Sequence, residues 1–319
     1  MGKMLGPKTK RKNKVGVVSL IFSFFIKITI LKMPRGNLIK KFQNQKEVKE
    51  KNKAKKIKKE ENDGEDRAKV VTRTIENTRE LCETMINLED DEIIHDQAHD
   101  EFAPYFGRQT TPKILMTTSM HAKTVTFDLM RELEMVIPNV EVHSRKLVPI
   151  KRIVEQAIEN EFTDIIVIQE DRKKPSGMIF CHLPDGPTAY FKINSMTPSK
   201  KIKHVGQKTD HYPELILNNF DTRLGFTIGR LFASIFPQDP EYKGRRVVTF
   251  HNQRDYIFFR HHRYEFKRDG TRAALHELGP RLTLRLKWLQ KGTFDTIEGE
   301  YEWVYKRRIQ QPNRRTFVL

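Results

Sequence analysis

Residues 112–138 read PKILMTTSMHAKTVTFDLMRELEMVIP, and residues 213–237 read PELILNNFDTRLGFTIGRLFASIFP. Each opens on a proline, passes through a short apolar run, and enters a helix-period pattern closed by the next proline. In the first copy Lys113–Thr117 has the continuous apolar character of a buried strand. Val125, Leu129, Met130, Leu133 and Val136 then recur on one helix face. In the second copy Leu224, Ile228, Leu231, Phe232 and Ile235 form the matching stripe of a helix expected over Thr222–Phe236. The copies stand about a hundred residues apart, and the segments after them also correspond. Val247–Phe250, Tyr256–Phe266 and Leu282–Leu289 answer Ile165–Ile168, Met178–His182 and Thr188–Ile193. The last two of the first set form a hairpin about Pro184-Asp185-Gly186, and Ile165–Ile168, apolar throughout, reads as a central strand. A strand at Val140–His143 precedes a helix, Ile150–Ile158, that starts at Pro149 and has no counterpart in the second copy. The fold class expected is therefore α/β: two similar half-domains, about 112–193 and 213–289, packed about a pseudo-two-fold axis.

Outside these copies the chain changes texture. Of its 319 residues 37% are apolar and 31% charged, and the formal net charge is +18. A surplus of that size attracts polyanions such as RNA, DNA or anionic membranes. Residues 1–14 hold six Lys or Arg and no acid. Residues 40–60 add Lys40, Lys41, Lys46, Lys49, Lys51, Lys53, Lys55, Lys56, Lys58 and Lys59. Such a run repels itself and reads as disordered or as an exposed helix, suited to nuclear import or to an RNA-binding arm. Between the basic blocks, Val15–Leu31 (VGVVSLIFSFFIKITIL) is almost wholly apolar, at the lower length limit for a membrane helix, and contains Lys27. Three readings stay open, with a gene-model error first: an error such as translated intron, a membrane or interfacial segment, or a buried or partner-docking element. No membrane partner is expected. Residues 87–101 reverse the sign through Glu89, Asp90, Asp91, Glu92, Asp96, Asp100 and Glu101, an acidic linker able to meet a basic partner. The division expected is a basic, largely disordered extension over 1–101, the α/β domain over 102–305 and a basic tail over 306–319.

Several chemistries find no support. Cys82 and Cys181 make neither a Cys-x-x-Cys pair nor a disulfide framework, which fits a reducing compartment. There is no G-x-x-x-x-G-K-[ST], G-x-G-x-x-G or G-x-S-x-G motif. His251, His261, His262 and His276 lie near one another in sequence. His261 and His262, adjacent on a strand, must face opposite ways and do not share a metal readily. Glu170-Asp171 ends a strand as some metal-dependent nucleases require, but Arg172, Lys173 and Lys174 follow at once, so a solvated turn is the simpler reading. No catalytic residue, metal, cofactor or small-molecule substrate is expected.

The second half carries the positive signal. In Leu282–Leu289, Leu282, Leu284, Leu286 and Trp288 alternate with Thr283, Arg285 and Lys287, which places the first set inward and the second outward, with Arg281 beside it. Tyr256–Phe266 sets Arg260, His262 and Tyr264 on one face, with His261 and Arg263 on the other. Arg245, Arg246 and Arg254 lie nearby. Guanidinium groups interleaved with aromatic rings suit RNA, since bases stack on both and phosphates take the charge. Arg223 and Arg230 extend the set onto the helix Thr222–Phe236. There Gly225 and Gly229, each weakening a helix by about 1 kcal/mol, imply close approach of another backbone.

These stretches resemble the Brix domain family. The likeness rests on Ile216-Leu217-Asn218-Asn219-Phe220 followed by Thr222-Arg223-Leu224-Gly225, and on Ile228-Gly229-Arg230-Leu231-Phe232. It continues in TFHNQRDYIFFR (249–260) and in Glu277-Leu278-Gly279-Pro280-Arg281, the family's sigma-like motif. The first half agrees through DIIVI (164–168) and HLPDGPTA (182–189). The likeness runs from about Phe102 onward and does not account for Val15–Leu31. It implies an anticodon-binding-like fold in two halves and no enzymatic activity. It also implies binding to precursor rRNA in early pre-60S particles in the nucleolus, beside other assembly factors and ribosomal proteins. The RNA-contacting residues expected are Arg223, Arg230, Arg245, Arg246, Arg254, Arg260, Arg263, Arg281, Arg285 and Lys287. Two rivals remain: a metal-dependent RNA-processing nuclease using Glu170 and Asp171, and a protein-interaction adaptor without RNA contact.

Overall fold

The computed structural model describes Glu50 and residues 72–80, 84–86, 90–267, 270–294, 299–310 and 315–319. The chain divides into two units, Met1–Thr72 and Arg73–Leu319, and the architecture below belongs to the second. The apolar stretch 15–31 and, but for Glu50, the lysine run 40–60 lie outside the described residues.

The elements follow in the order α1 (Asp91–His99), α2 (Ala103–Phe106), β1 (Ile114–Thr118), α3 (Thr124–Glu134), β2 (Val140–Val142), α4 (Ile150–Glu159), β3 (Asp164–Asp171), β4 (Lys174–His182) and β5 (Thr188–Thr197). Then come β6 (Glu214–Asn218), α5 (Arg223–Ser234), β7 (Arg246–Gln253), β8 (Tyr256–Lys267), β9 (Arg272–Glu277), β10 (Arg281–Gln290), β11 (Tyr301–Val304) and α6 (Arg307–Gln310). The strands make one sheet in the order β2-β1-β3-β4-β5-β10-β8-β7-β6, with β11 against β10 and β9 against β8.

That order reads the same from both ends. β1-β3-β4-β5 answers β6-β7-β8-β10, each set of four opening on a parallel pair, β1 with β3 and β6 with β7, followed by antiparallel strands. β5 and β10 meet antiparallel at the seam, as a two-fold relation between halves requires. The first half interposes β2 and α4, the helix without a counterpart in the sequence. Strands β9 and β11 were not anticipated. Among the described residues Arg272–Glu277 and Tyr301–Val304 each pair with one neighbour and are largely exposed, so neither carries a strong apolar pattern.

One face of the sheet buries the main core. Leu129, Met130 and Leu133 of α3 and Ile228, Leu231 and Phe232 of α5 pack on alternate strand residues, among them Ile114, Met116, Ile166, Ile168, Phe191, Val248, Phe250, Phe259, Leu282, Leu284 and Leu286. Phe232 stacks on Phe250 with centroids 4.3 Å apart, and truncating such a ring to alanine costs about 3–5 kcal/mol. On the opposite face Ile153, Val154 and Ala157 of α4 cover Leu115, Ile165, Val167, Cys181 and Leu183. β3 is thus buried on both sides, which is why its sequence does not alternate.

Three expectations need correction. Trp288 does not face inward: β10 bulges between Leu286 and Trp288 against β5, Leu289 takes the core position, and Trp288 turns to the other face with Tyr190. One extra residue reverses the alternation beyond it. The acidic segment is not a bare linker over its described part, since Asp90 caps α1 and Arg223 and Arg230 pair with it. Nor is the end of the chain wholly a tail. Leu319 is 1% exposed, Val318 and Leu319 donate N–H bonds of 2.8 and 3.0 Å to Asp255 Oδ1, and Thr222 Oγ1 donates to Val318 O at 2.7 Å. A Cβ on Gly225 would stand 3.1 Å from the Leu319 carbonyl carbon, so here the helix glycine does admit a second backbone. Gly229 has only ordinary contacts.

Candidate nucleic-acid interface

The side of the sheet that α4 covers in the first half carries no buried cluster in the second, among the described residues. Alternation along β8 turns Ile257, Phe259 and His261 inward and Tyr256, Phe258, Arg260, His262 and Tyr264 outward. Registration across the neighbouring strands sets His251 beside Phe258, Thr249 beside Arg260 and Thr283 beside Phe258. On β10 the outward residues are Arg281, Thr283, Arg285 and, through the bulge, Lys287 and Trp288. On β5 they are Tyr190 and Lys192, which lie opposite Trp288 and Arg285. Rings and cations therefore share one partly exposed surface.

The ten expected residues do not form one patch. Arg260, Arg281, Arg285 and Lys287 occupy the open face. Arg260 is held by the carbonyls of Phe259 at 2.8 Å and Leu282 at 3.1 Å, and burial draws its pKa down. Arg281 is clamped by Glu277 through two bonds of 2.6 Å; this contact pulls the Glu277 carboxyl below its ordinary range. The Arg285 guanidinium lies between the rings of Tyr256 and Tyr305, 4.9 and 4.4 Å from their centroids, and donates to both hydroxyls. Lys287 Nζ sits 4.4 Å from the Tyr305 centroid. Arg245 and Arg263 are exposed at one end of the β7–β8 pair, with no ion-pair partner among the described residues. Arg254, in the turn at the other end, reaches Glu76 at 3.2 Å.

Two of the ten, Arg246 and Arg230, belong to the protein's own packing, and a third, Arg223, is held in an exposed ion pair away from the open face. Arg246 was expected among the RNA contacts and is 3% exposed. Its Nη1 donates to the carbonyls of Thr209 and His211, its Nη2 to that of Met135, and its Nε to His261 Nε2. Arg230 lies on the far face, bonded to Asp100 and to Gln97 O, with its guanidinium 4.3 Å from the Phe106 centroid. Arg223 pairs with Glu92 at 2.8 Å. The acidic residues before the domain thus neutralise the arginines of α5. Composition shows two opposite charge runs but not their proximity. By contrast Tyr190, Lys192 and Tyr305 join the open face without having been singled out, and period-two reading of Thr188–Ile193 would have found the first two.

The groups considered for catalysis are engaged otherwise. Glu170 Oε2 accepts from Lys123 N at 2.7 Å and from Thr126 Oγ1, at the N-terminus of α3. His261 is fully buried, its Nδ1 3.1 Å from Gly279 O and its Nε2 receiving Arg246. That pattern fits a neutral ring with the proton on Nδ1. Burial and the neighbouring Arg246 push its pKa down to about 3. Cys181 is buried and its thiol pushed up to about 12 by desolvation. No three metal-ligating side chains converge among the described residues.

The duplicated α/β sheet is roofed on one side throughout and on the other only over its first half, and its exposed face mixes rings and cations. The chain belongs to the Brix domain family, whose model matches residues 119–288. It is 62% identical over 251 residues to a Brix domain-containing protein of Caenorhabditis elegans, covering 79% of this chain and 65% of that protein's length. It is 53% identical over 252 residues to ribosome production factor 1 of Xenopus laevis, covering 79% and 73% respectively. A probable ribosomal biogenesis protein from Aeropyrum pernix K1 superposes with a TM-score of 0.43 at 16% identity, over 61% of this chain and 99% of that one.

Proposed function

We propose that this chain is a non-catalytic RNA-binding assembly factor of the large (60S) ribosomal subunit. It acts on precursor rRNA during early pre-60S maturation in the nucleolus, beside other assembly factors and ribosomal proteins. Relatives named ribosome production factor 1 support the setting. The observation that carries the RNA reading is the unroofed face, where Arg260, Arg281, Lys192 and Lys287 stand among Tyr190, Tyr256, Phe258 and Trp288 on a rigid sheet. Phosphates satisfy such cations and bases stack on such rings, whereas water satisfies only the cations.

Titration of precursor rRNA fragments at several salt concentrations tests this. With about six phosphate contacts, log affinity should fall against log salt with a slope of roughly −4 to −5. Charge reversal of Lys192 and Lys287 together should weaken binding and flatten the slope by about one unit for each phosphate no longer neutralised. A slope near zero with intact protein removes the electrostatic reading.

A further inference from the structure

At the seam between the halves the open face carries a set of side chains that the charge pattern does not explain. Tyr190 on β5 and Trp288 on β10 are directly opposite, with ring centroids 5.5 Å apart and planes 31° from parallel. Tyr190 lies across the neighbouring strand over Gly177. A Cβ at that glycine would be 2.5 Å from Cε2, 2.7 Å from the hydroxyl oxygen and 2.9 Å from Cζ of the ring. Any other residue at 177 would push the ring away from the sheet. Trp288 reaches this surface only because of the bulge at Lys287, and Tyr301 meets it edge-on at 5.7 Å. A regular strand would have buried the indole; here the largest apolar side chain of β10 stays partly exposed. β-bulges often re-aim side chains beside functional sites.

Cations ring these aromatics. Lys192 faces Arg285 across the β5–β10 pair, and Lys287 is the bulge residue next to Trp288. Burial first, then Arg285 and Lys192, hold the Lys287 ammonium below its ordinary range. No carboxylate forms an ion pair with Lys192 or Lys287 among the described residues. The Tyr256–Arg285–Tyr305 stack holds the guanidinium in place at the border of the pair.

We propose that Tyr190 and Trp288 form a stacking site for unpaired RNA bases, with Lys192 and Lys287 taking the adjoining phosphates. This rests on the RNA reading above and narrows it from RNA in general to single-stranded segments. Bases in a duplex stack on each other and present no free π face to a flat ring, whereas unpaired bases do. The planar pair, one ring lying over a glycine and the other exposed by a bulge, distinguishes this from a surface that needs only charge.

The test uses the full chain with a labelled single-stranded RNA of about 12 nucleotides and the same sequence as a blunt duplex, followed by anisotropy. The single strand should bind at least about tenfold more tightly. Trp288→Ala should weaken single-strand binding about tenfold and leave duplex binding unchanged, while Trp288→Tyr should keep most of the affinity. Gly177→Val, which lifts the Tyr190 ring without touching charge, should imitate Trp288→Ala, and circular dichroism of each variant confirms folding. Equal binding of both RNAs with no effect of Trp288→Ala overturns the stacking site and leaves the RNA reading standing. Equal losses on both RNAs also overturn it, since they mark a structural effect. Failure of the unaltered chain to bind either RNA overturns both proposals.

Discussion

Leu115 and Ile216 occupy the same place in the two halves, the second apolar position of strands β1 and β6, yet they are 7% and 43% exposed. Their strand neighbours differ in step. Leu115 lies beside Ile165 and Ile216 beside Thr249. The cause is α4, which covers Leu115 and Ile165 and has no equivalent over β6 and β7. Both halves bury the same face under α3 and α5, so both are stable there. The uncovered face runs over the second half and β5, and its outward positions, Ile216 and Val247 apart, are polar, basic or aromatic, whereas Leu115, Ile165 and Val167 under α4 are aliphatic. In this duplicated fold, the copy that lacks the covering helix keeps its outer sheet face open.

The sharpest challenge to that comparison is whether the halves stand independently. Arg246 begins β7 in the second half, but its Nη2 bonds to Met135 O at 2.6 Å, at the end of α3 in the first, and its Nη1 to His211 O at 2.6 Å in the connection between them. Removing the guanidinium takes this donor from the part-buried carbonyls of Thr209, His211 and Met135 and from buried His261. Arg246→Ala should lower stability by about 3 kcal/mol, with one cooperative urea transition because the halves still share one core. Two separated transitions would show that the halves unfold apart. RNA affinity per folded molecule should not change, which separates this arginine from those on the open face.

His261 gives the next effect. It is neutral when folded, with its pKa pushed down to about 3 from 6.5. Below about pH 6.5 the unfolded chain takes up a proton that the folded chain refuses. Stability is therefore full above pH 6.5 and is lost as pH falls toward 3. The histidine alone should remove about 2 kcal/mol between pH 7 and pH 5. Urea denaturation at the two values measures it, and His261→Gln should be weaker at pH 7 but flatter across the interval. An equal slope in the variant would place the acid sensitivity elsewhere.

The sequence made the strand and helix order of both halves legible because period and length agree: buried strands run apolar, helices carry one stripe, and prolines mark the boundaries. The roof was legible too, once β3 (DIIVIQED) is set beside β7 (RVVTFHNQ), whose Thr249 and His251 interrupt the apolar run. The site was harder to read. Period two cannot foresee the bulge that turns Trp288 outward, since a bulge is settled by pairing with β5. Nor can it tell an arginine on a surface from Arg246, whose acceptors lie at positions 135, 209 and 211. Charge counting placed Arg223 and Arg230 with the RNA contacts because Glu92 and Asp100, more than a hundred positions earlier, are brought to them only by folding.

The smallest effects separate the two halves at their helix ends. α5 is capped from within: Thr222 Oγ1 accepts from Gly225 N at 2.9 Å while donating to Val318 O. α3 has no such side chain of its own, and Glu170 from β3 stands at its N-terminus instead. Thr222→Ala should cost about 1–2 kcal/mol, since it removes both a cap and a link to Val318. Glu170→Gln should cost about 1 kcal/mol or less, because the amide oxygen still accepts while the favourable charge at the helix end is lost. Thermal denaturation of both variants measures the difference. The glutamate variant also discriminates between functions. A carboxylate serving α3 should leave structured RNA intact in magnesium, whether it is present or replaced. If the unaltered protein cleaved that RNA and Glu170→Gln or Asp171→Ala abolished cleavage, the first half would hold the chemistry, and the open face of the second would be only a means of holding substrate.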